Sequence, residues 1–131
     1  GQEVDVMTDN EPKGTLALQT IAMLADTNAN GDIFGGWLMA QIDLGASAVA
    51  RTRSNGKVAT VAVNAMTFHK PVHVGDLVTI YSELLKEGTT SMHVGVEVWI
   101  TRLPEGIRLK VTEAKFVFVA VDGNGNKRTL L

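Results

Sequence analysis

The residues best suited to chemistry lie close together in one apolar stretch of the sequence. Asp43 is the only carboxylate between Ile33 and Ala50, and the glycine pair Gly35-Gly36 lies seven or eight positions before it. A carboxylate buried in apolar surroundings costs several kcal/mol unless it is paired or hydrogen-bonded. We therefore interpret Asp43 as a catalytic candidate. The structural alternative is a close helix–helix contact in which a backbone donor holds this carboxylate.

The glycine pair precedes a run of helix-forming residues and has a chemistry of its own. Backbone N–H groups at a helix start have no partner within the helix and carry the positive end of its dipole. One such donor, aimed at a carbonyl oxygen that gains negative charge, is worth roughly 10²–10³ in rate. Gly35 and Gly36 therefore predict an oxyanion-binding amide, although glycines at such a junction also relieve steric crowding.

The element that must position these residues is a helix, which we predict over Ile33–Arg53. This segment is rich in helix-forming residues and is too long for one strand. With about 100° between successive residues, small side chains fall on a stripe about 60° wide. The stripe comprises Gly36, Ala40, Asp43 and Ser47, and the larger residues expected to pack against a sheet are Trp37, Leu38, Ile42, Leu44 and Val49.

The spacing along this helix predicts a site shared by two chains. At about 1.5 Å per residue, the glycine pair and Asp43 are separated by roughly 10–12 Å along the axis. The amide must lie about 3 Å from the carbonyl oxygen while the carboxylate acts on the same group, so one helix cannot supply both. Two antiparallel helices that meet along the small stripe would place the glycine end of one beside Asp43 of the other. We therefore predict two equivalent sites across a two-fold axis.

The rest of the chain follows the period-two pattern of β-strands. Short turn-like segments separate the strands, which favours antiparallel neighbours. One largely apolar helix and one long antiparallel sheet cover each other only if the sheet curls around the helix. We therefore predict an α+β chain with the hotdog fold, a long antiparallel sheet wrapped around one central helix. The predicted strands are Thr15–Met23, Val58–Lys70, Asp76–Lys86, Ser91–Arg102 and Arg108–Val121, and a loop covers Asp26–Asp32.

Length and composition limit the class of protein. The 131 residues suffice for one domain, which we place at 15–131. Residues 1–14 are expected to form a flexible lead-in. Residues 1–6 precede the first methionine and are a candidate cloning remnant. The net charge of −2 disfavours binding to nucleic acid. The absence of cysteine excludes a thiolate nucleophile and most structural zinc sites. No apolar run approaches the roughly 18 residues of a membrane span, so we expect a soluble, cytoplasmic protein.

Three stretches carry a specific family resemblance. They are DTNANGDIFGGWLMAQID at Asp26–Asp43, VATVAVNAMTFHKPVHVGD at Val58–Asp76 and FVFVAVDGNGNKRT at Phe116–Thr129. Together they resemble the YciA-like branch of the hotdog acyl-CoA thioesterases, in the order expected for that branch. The resemblance implies hydrolysis of acyl-CoA thioesters to free acid and CoA, with no metal and no organic cofactor.

The resemblance also implies roles for individual residues. Asp43 matches the catalytic carboxylate of the family, and Gly35 or Gly36 matches the glycine whose amide polarises the thioester carbonyl. Ser47 lies four residues after the carboxylate, where related hotdog thioesterases carry a hydroxyl that helps to hold the carboxylate or the water. For the assembly, the resemblance implies a homodimer, with dimers joined into a hexamer.

A further set of residues is predicted to bind the acyl-CoA substrate and the CoA product. Aromatic and methionine side chains would line an acyl tunnel, and methionines adapt to several acyl shapes. Cations would meet the CoA phosphates, although a solvated rim is the ordinary alternative for the same side chains. The tunnel residues are Phe34, Met39, Met66 and Phe68, the cations are Lys70 and Arg128, and the remaining positions are Asn28, Asp32 and Asn64.

Two other functions compete with thioester hydrolysis. Hotdog dehydratases acting on hydroxyacyl thioesters use a histidine base, but His69 and His73 lie at the end of a predicted strand without the dehydratases' His-Phe-Pro and Pro-Gly pattern. His93 is expected on a solvated strand face. A non-catalytic acyl-CoA sensor would need a DNA-binding segment ahead of the domain, and the 14 residues before Thr15 are too few and too polar to form one.

Overall fold

The computed structural model describes residues 11–64 and 67–130. A short 3-10 turn, Leu24–Asp26, and an irregular loop connect the first strand to the helix. Within the two described ranges, no helix is long and apolar enough to cross a membrane. The elements are β1 (Thr15–Ile21), α1 (Gly35–Ser54), β2 (Val58–Val63), β3 (Thr67–Phe68), β4 (Leu77–Glu87), β5 (Ser91–Arg102) and β6 (Ile107–Ala120).

The strands form one antiparallel sheet in the order β1-β4-β5-β6-β2, and β3 also pairs with β6. The helix α1 lies across this sheet and contacts β1, β2, β4, β5 and β6. A single helix covered by a long antiparallel sheet is the arrangement predicted from the sequence, so the hotdog prediction is confirmed. The strands β1 and β2 are the two edges of the main sheet.

The predicted strand that follows the helix is not one element, because it divides into β2 and β3. From Val63 to Thr67 the chain advances four positions, whereas its partner strand β6 advances three. One extra residue on this side interrupts the regular ladder. At the break, the Asn64 N–H donates to the Lys115 carbonyl of β6 (2.9 Å).

The helix begins two residues later than its composition predicts. Ile33 pairs with Thr27 in an isolated bridge, and the Phe34 N–H donates to the Asp26 carbonyl (2.9 Å), so the loop holds both residues outside the helix. At the other end, Asn55 has a φ of 56°, a left-handed conformation that asparagine tolerates and that commonly ends helices.

The core lies between one face of the helix and one face of the sheet. Leu38, Ile42, Ala46 and Ala50 recur at helical spacing and are at most 3% exposed. Trp37 and Val49 are partly buried against the same cluster. Burying a valine, isoleucine or phenylalanine contributes about 1.5–3 kcal/mol each, so this layer is the main source of stability. The sheet contributes Val78, Ile80, Val94, Val96, Val98, Phe116 and Phe118.

The opposite face of the helix is exposed in the single chain. Leu44 is 56% exposed and Met39 is 48% exposed, so the prediction that Leu44 packs against the sheet is wrong. Leu44 lies two positions after the buried Ile42, which turns it about 200° around the helix and away from the sheet. The small stripe is on this outward side: Gly36, Ala40 and Asp43 are exposed, and Ser47 is half-buried.

Gly45 allows α1 to pack closely against the sheet, and replacing this residue tests that packing. A Cβ at this position would lie 2.6 Å from Cγ2 of Ile80, a fully buried and stiff β-branched side chain. We expect Gly45→Ala to lower the free energy of unfolding by about 1–3 kcal/mol, as overpacking of a core does, when measured by denaturant unfolding. Gly123→Ala is the control, because nothing lies within 4 Å of its Cβ. Equal losses in both variants would contradict the packing argument.

Candidate active site

A pocket of about 200 Å³ opens beside the start of α1. Five residues predicted from the sequence meet there: Asp32, Phe34, Gly35, Phe68 and Lys70. The structure thus brings the glycine end of the helix, two aromatic rings and one cation to a single opening. Phe34 is 50% exposed and Phe68 is 45% exposed, so the aromatic wall is accessible to a ligand.

Four further residues line the same pocket and were not predicted to bind substrate: Ile33, Leu38, Pro71 and Val72. Two signals could have found them. Leu38 lies about one helical turn after Gly35, and Pro71-Val72 directly follow Lys70. The wall that faces the helix start is therefore the segment that leaves β3.

The loop before the helix is shaped by Asn28. Its backbone N–H donates to the Asp32 carbonyl (2.7 Å), and its side-chain Oδ1 accepts from the N–H groups of Asn30 (2.9 Å) and Asp32 (3.2 Å). Side-chain amides commonly organise turns in this way. Asn28 was predicted to bind substrate. In the structure it fixes the loop that presents Asp32 and Phe34 to the pocket.

The glycine pair at the helix start faces open space within the chain. A Cβ added at Gly35 or Gly36 would have no atom of residues 11–64 or 67–130 within 4 Å, apart from its immediate neighbours and the helix backbone. Both residues are exposed, and Phe34, the residue before the helix, makes no side-chain hydrogen bond that caps the helix start. Contacts within the described part of the chain therefore do not account for glycine at either position. The space beside the Gly35 and Gly36 backbone amides can therefore hold another molecule.

Asp43 lies on the exposed side of α1, which corrects the expectation of a buried carboxylate. The sheet covers only one side of the helix, so a carboxylate on the other side keeps its contact with water. Within residues 11–64 and 67–130, no hydrogen bond or ion pair engages its side chain. No backbone donor of the described chain holds Asp43, so it is available to act on another molecule.

Ser47 does not hold Asp43 in this chain. Its hydroxyl donates to the Leu44 carbonyl within the same helix (2.9 Å). Serine hydroxyls in helices often bond back in this way to the preceding turn. A role of Ser47 toward the carboxylate or a water would therefore need the hydroxyl to leave this bond, and it stays a prediction.

Met39 and Asn64 were predicted to bind substrate, but neither residue lines the pocket. Met39 lies on the helix surface, and Met66 is outside the described residues. Asn64 lines a different cavity of about 510 Å³ together with Gly95 and Glu97. That cavity is on the outer face of the sheet, because Gly95 and Glu97 alternate with core residues of β5.

Arg128 is already engaged by backbone oxygens. Its Nε donates to the Val121 carbonyl (2.8 Å), its Nη1 to the Ser54 carbonyl (2.9 Å) and its Nη2 to the Lys57 carbonyl (3.3 Å). A cation at the last carbonyl of a helix also complements the helix dipole. The guanidinium therefore joins the C-terminal segment to the end of α1, a role that the sequence reasoning missed.

The histidines are not part of the pocket. His69 and His73 are exposed, and the pocket lining includes neither. Their backbone N–H groups donate to the Val111 carbonyl (2.7 Å) and to Asp76 Oδ2 (2.8 Å), respectively. His93 is half-buried in β5, on the same face as Gly95. The geometry thus offers no histidine base beside Gly35.

Comparison with known proteins identifies the class to which this fold and this helix belong. A profile of the thioesterase superfamily matches residues 30–106, which include the helix start, Asp43 and the pocket wall. The chain therefore belongs to the thioesterase superfamily.

The chain is similar to individual relatives over nearly its whole length. The chain is 53% identical over 125 residues to acyl-CoA thioester hydrolase YciA of Salmonella typhimurium, which covers 93% of this chain and 94% of the relative. It is similar to the crystal structure of a hexameric broad specificity acyl-coenzyme A thioesterase, with 51% identity, a TM-score of 0.88, and coverage of 92% and 84% of the two chains. A hexameric hotdog fold thioesterase of Campylobacter jejuni matches with 36% identity, a TM-score of 0.86, and coverage of 92% and 93%.

Proposed function

We propose that this chain is an acyl-CoA thioester hydrolase that releases a carboxylic acid and CoA. The observation that carries the proposal is the exposed face of α1. There the glycine amides and Asp43, which has no side-chain partner among the described residues, point away from their own core, and an open aromatic pocket lies beside the glycine end. The near full-length similarity to an acyl-CoA thioester hydrolase supports the same substrate class. A cytoplasmic location is part of the proposal.

The proposed chemistry assigns one role to the start of the helix and another to Asp43 near its middle. The amide of Gly35 or Gly36 donates to the thioester carbonyl oxygen and stabilises the negative charge that develops there. Asp43 takes a proton from water as the water oxygen bonds to the carbonyl carbon, or attacks this carbon itself to give a mixed anhydride. The carbon–sulfur bond then breaks. In the first route, the leaving sulfur takes up the proton that Asp43 removed from water and leaves as the CoA thiol. In the second route, the sulfur leaves as the thiolate, and water then hydrolyses the mixed anhydride, which releases the acid, restores the Asp43 carboxylate and supplies the proton that the thiolate takes up.

The proposed active site needs two chains. Asp43 and the glycine pair lie on the same helix, roughly 10–12 Å apart along its axis, and the pocket lining includes Gly35 but not Asp43. We infer a homodimer in which the outward stripes of two antiparallel helices meet, with the edge strand β2 extending the contact. Val61 (54% exposed) and Val63 (46% exposed) on β2 support this surface. The similarity to hexameric thioesterases supports further assembly into a hexamer.

The pocket suggests how the substrate is held. Phe34 and Phe68 offer an apolar surface to the acyl or pantetheine part of the ligand. Lys70 is exposed at the same opening and can meet a phosphate of CoA. Breadth of acyl-chain acceptance is part of the proposal, supported by the similarity to a broad specificity enzyme.

Release of free thiol from a panel of acyl-CoAs tests the function directly. A hydrolase releases CoA thiol from at least one member of the panel. A dehydratase would change the absorbance of a hydroxyacyl thioester without releasing thiol, and a non-catalytic binding domain would do neither. Either of these results would count against the proposal.

Arg128→Lys separates a structural role from a phosphate-binding role. Lysine keeps the charge but cannot donate to three separate carbonyl oxygens in a fixed fork. We expect the free energy of unfolding to fall by about 1–3 kcal/mol, the range for hydrogen bonds of charged groups, while the KM for acyl-CoA stays unchanged. Denaturant unfolding and thiol-release kinetics check this, with Lys127→Ala as a neighbouring control. A raised KM with unchanged stability would support the CoA contact instead.

A further inference from the structure

Asp76 is a buried carboxylate that the proposed chemistry does not use. It is 1% exposed, and its two oxygens accept a forked pair of hydrogen bonds from Arg102, from Nε to Oδ1 (3.0 Å) and from Nη2 to Oδ2 (2.8 Å). Oδ2 also accepts the His73 N–H (2.8 Å). Burial raises the pKa of Asp76, but the hydrogen bonds from Arg102 and His73 outweigh it and hold the pKa below its ordinary value. The pair is therefore charged near neutral pH.

The same guanidinium reaches the pocket wall. Arg102 Nη2 donates to the Pro71 carbonyl (3.3 Å), and Pro71 and Val72 line the pocket beside Gly35. One side chain on β5 thus joins the carboxylate at the end of the segment 71–76 to the carbonyl at its start.

Backbone hydrogen bonds complete this anchoring. The Asp76 N–H donates to the His73 carbonyl (3.0 Å), and the Gly75 N–H donates to the Ala22 carbonyl (2.7 Å). Val72 is 7% exposed within the core cluster. The segment can move away from the helix only by breaking several of these contacts together.

We propose that Asp76 and Arg102 are positioning residues that hold the Pro71–Val72 wall at the separation from α1 that the thioester ligand requires. This inference rests on the proposed function and concerns how tightly the substrate is held, not the bond-breaking step. Arginine suits the role because its planar fork reaches a carboxylate and a carbonyl together. Lysine would present a single nitrogen to both acceptors.

Arg102→Gln and Arg102→Lys test the role by comparing binding with turnover. We expect the KM for acyl-CoA and the Kd of CoA to rise about tenfold in Arg102→Gln, the change that one lost hydrogen bond produces. The kcat should stay within about twofold, since the wall would bind ground state and transition state alike. Arg102→Lys should show a similar rise in KM with a smaller loss of Tm. Hydrogen exchange at residues 69–76 should accelerate in both variants.

The control removes another arginine–carboxylate pair. Glu87 is ion-paired with Arg53 and lines none of the pocket, so Glu87→Gln should leave KM and Kd unchanged. Lower Tm with unchanged KM, Kd and exchange in both Arg102 variants would overturn the inference and leave a purely structural pair. If Arg102→Gln does not fold, Arg102→Lys decides by the same criterion. A wild-type protein that neither releases thiol nor binds CoA would overturn the proposed function itself, which is a separate result.

Discussion

Asp43→Asn is expected to lower the rate of thiol release by about 10²–10⁴-fold, the usual contribution of a general base, while leaving Tm unchanged. Tm should stay unchanged because Asp43 is exposed and has no side-chain partner within the described residues. Asparagine has nearly the same shape and removes no bond of the chain. Thiol-release kinetics measure the rate, and thermal unfolding of the same sample measures Tm.

A control variant separates loss of a specific carboxylate from loss of charge in general. Glu105 is an exposed acid in the turn between β5 and β6, so Glu105→Gln should keep full activity. A fall in Tm with activity largely retained in Asp43→Asn would assign Asp43 a structural role and contradict the proposal. Single turnover in ¹⁸O-labelled water then distinguishes the two chemical roles. Label in the Asp43 carboxylate indicates attack by Asp43, whereas a general base leaves this carboxylate unlabelled and places the label in the released acid.

Mixing two inactive variants is expected to restore activity if the site is shared. One chain carries Asp43→Asn and the other carries Gly36→Val, which blocks the helix start. In a mixed dimer, one site combines the intact glycine end of the first chain with the intact Asp43 of the second. That single site should return activity after subunit exchange, to about half of the wild-type value per mixed dimer, because a two-fold dimer has two equivalent sites.

The structure supports the choice of Gly36→Val. Among residues 11–64 and 67–130, a Cβ at position 36 has no atom within 4 Å beyond its neighbours and the helix backbone, so the Cβ of the new side chain clashes with none of these residues. Exchange is verified by the mass of the mixed dimer. Verified exchange without activity would contradict the shared site. A crystal structure that placed Asp43 and Gly36 of one chain around a single carbonyl would directly contradict the shared site.

Local pattern was enough to predict most of the elements. Period-two alternation and turn residues defined the long strands β4, β5 and β6 to within about two residues at each end, and helix-forming composition defined α1. These properties depend on near neighbours in the chain, so one sequence contains them. The family resemblance rested on the same local strings, and the matching thioesterase profile confirms it.

Which side of each element faces the core was decided only by the tertiary structure. The sequence predicted an apolar helix, but it did not predict that Leu44 and Asp43 would both lie outside the single chain. Which side of the helix faces the sheet depends on contacts between residues that are distant in the sequence. Gly45 packs against Ile80, 35 positions away, and helical periodicity carries no information about such a contact.

For the site residues too, features of the local sequence could be predicted, whereas contacts formed by folding could not. Asp32, Phe34, Gly35, Phe68 and Lys70 line one pocket, and two local strings were enough to single them out as candidate site residues. The roles of Arg128 at the end of α1 and of Arg102 at Asp76 were missed, because each arginine bonds to groups brought near it by folding, up to 74 positions away. An arginine donates to any oxygen within reach. The sequence by itself therefore determined which donors exist, and only the packed sheet and helix decided which acceptors they meet.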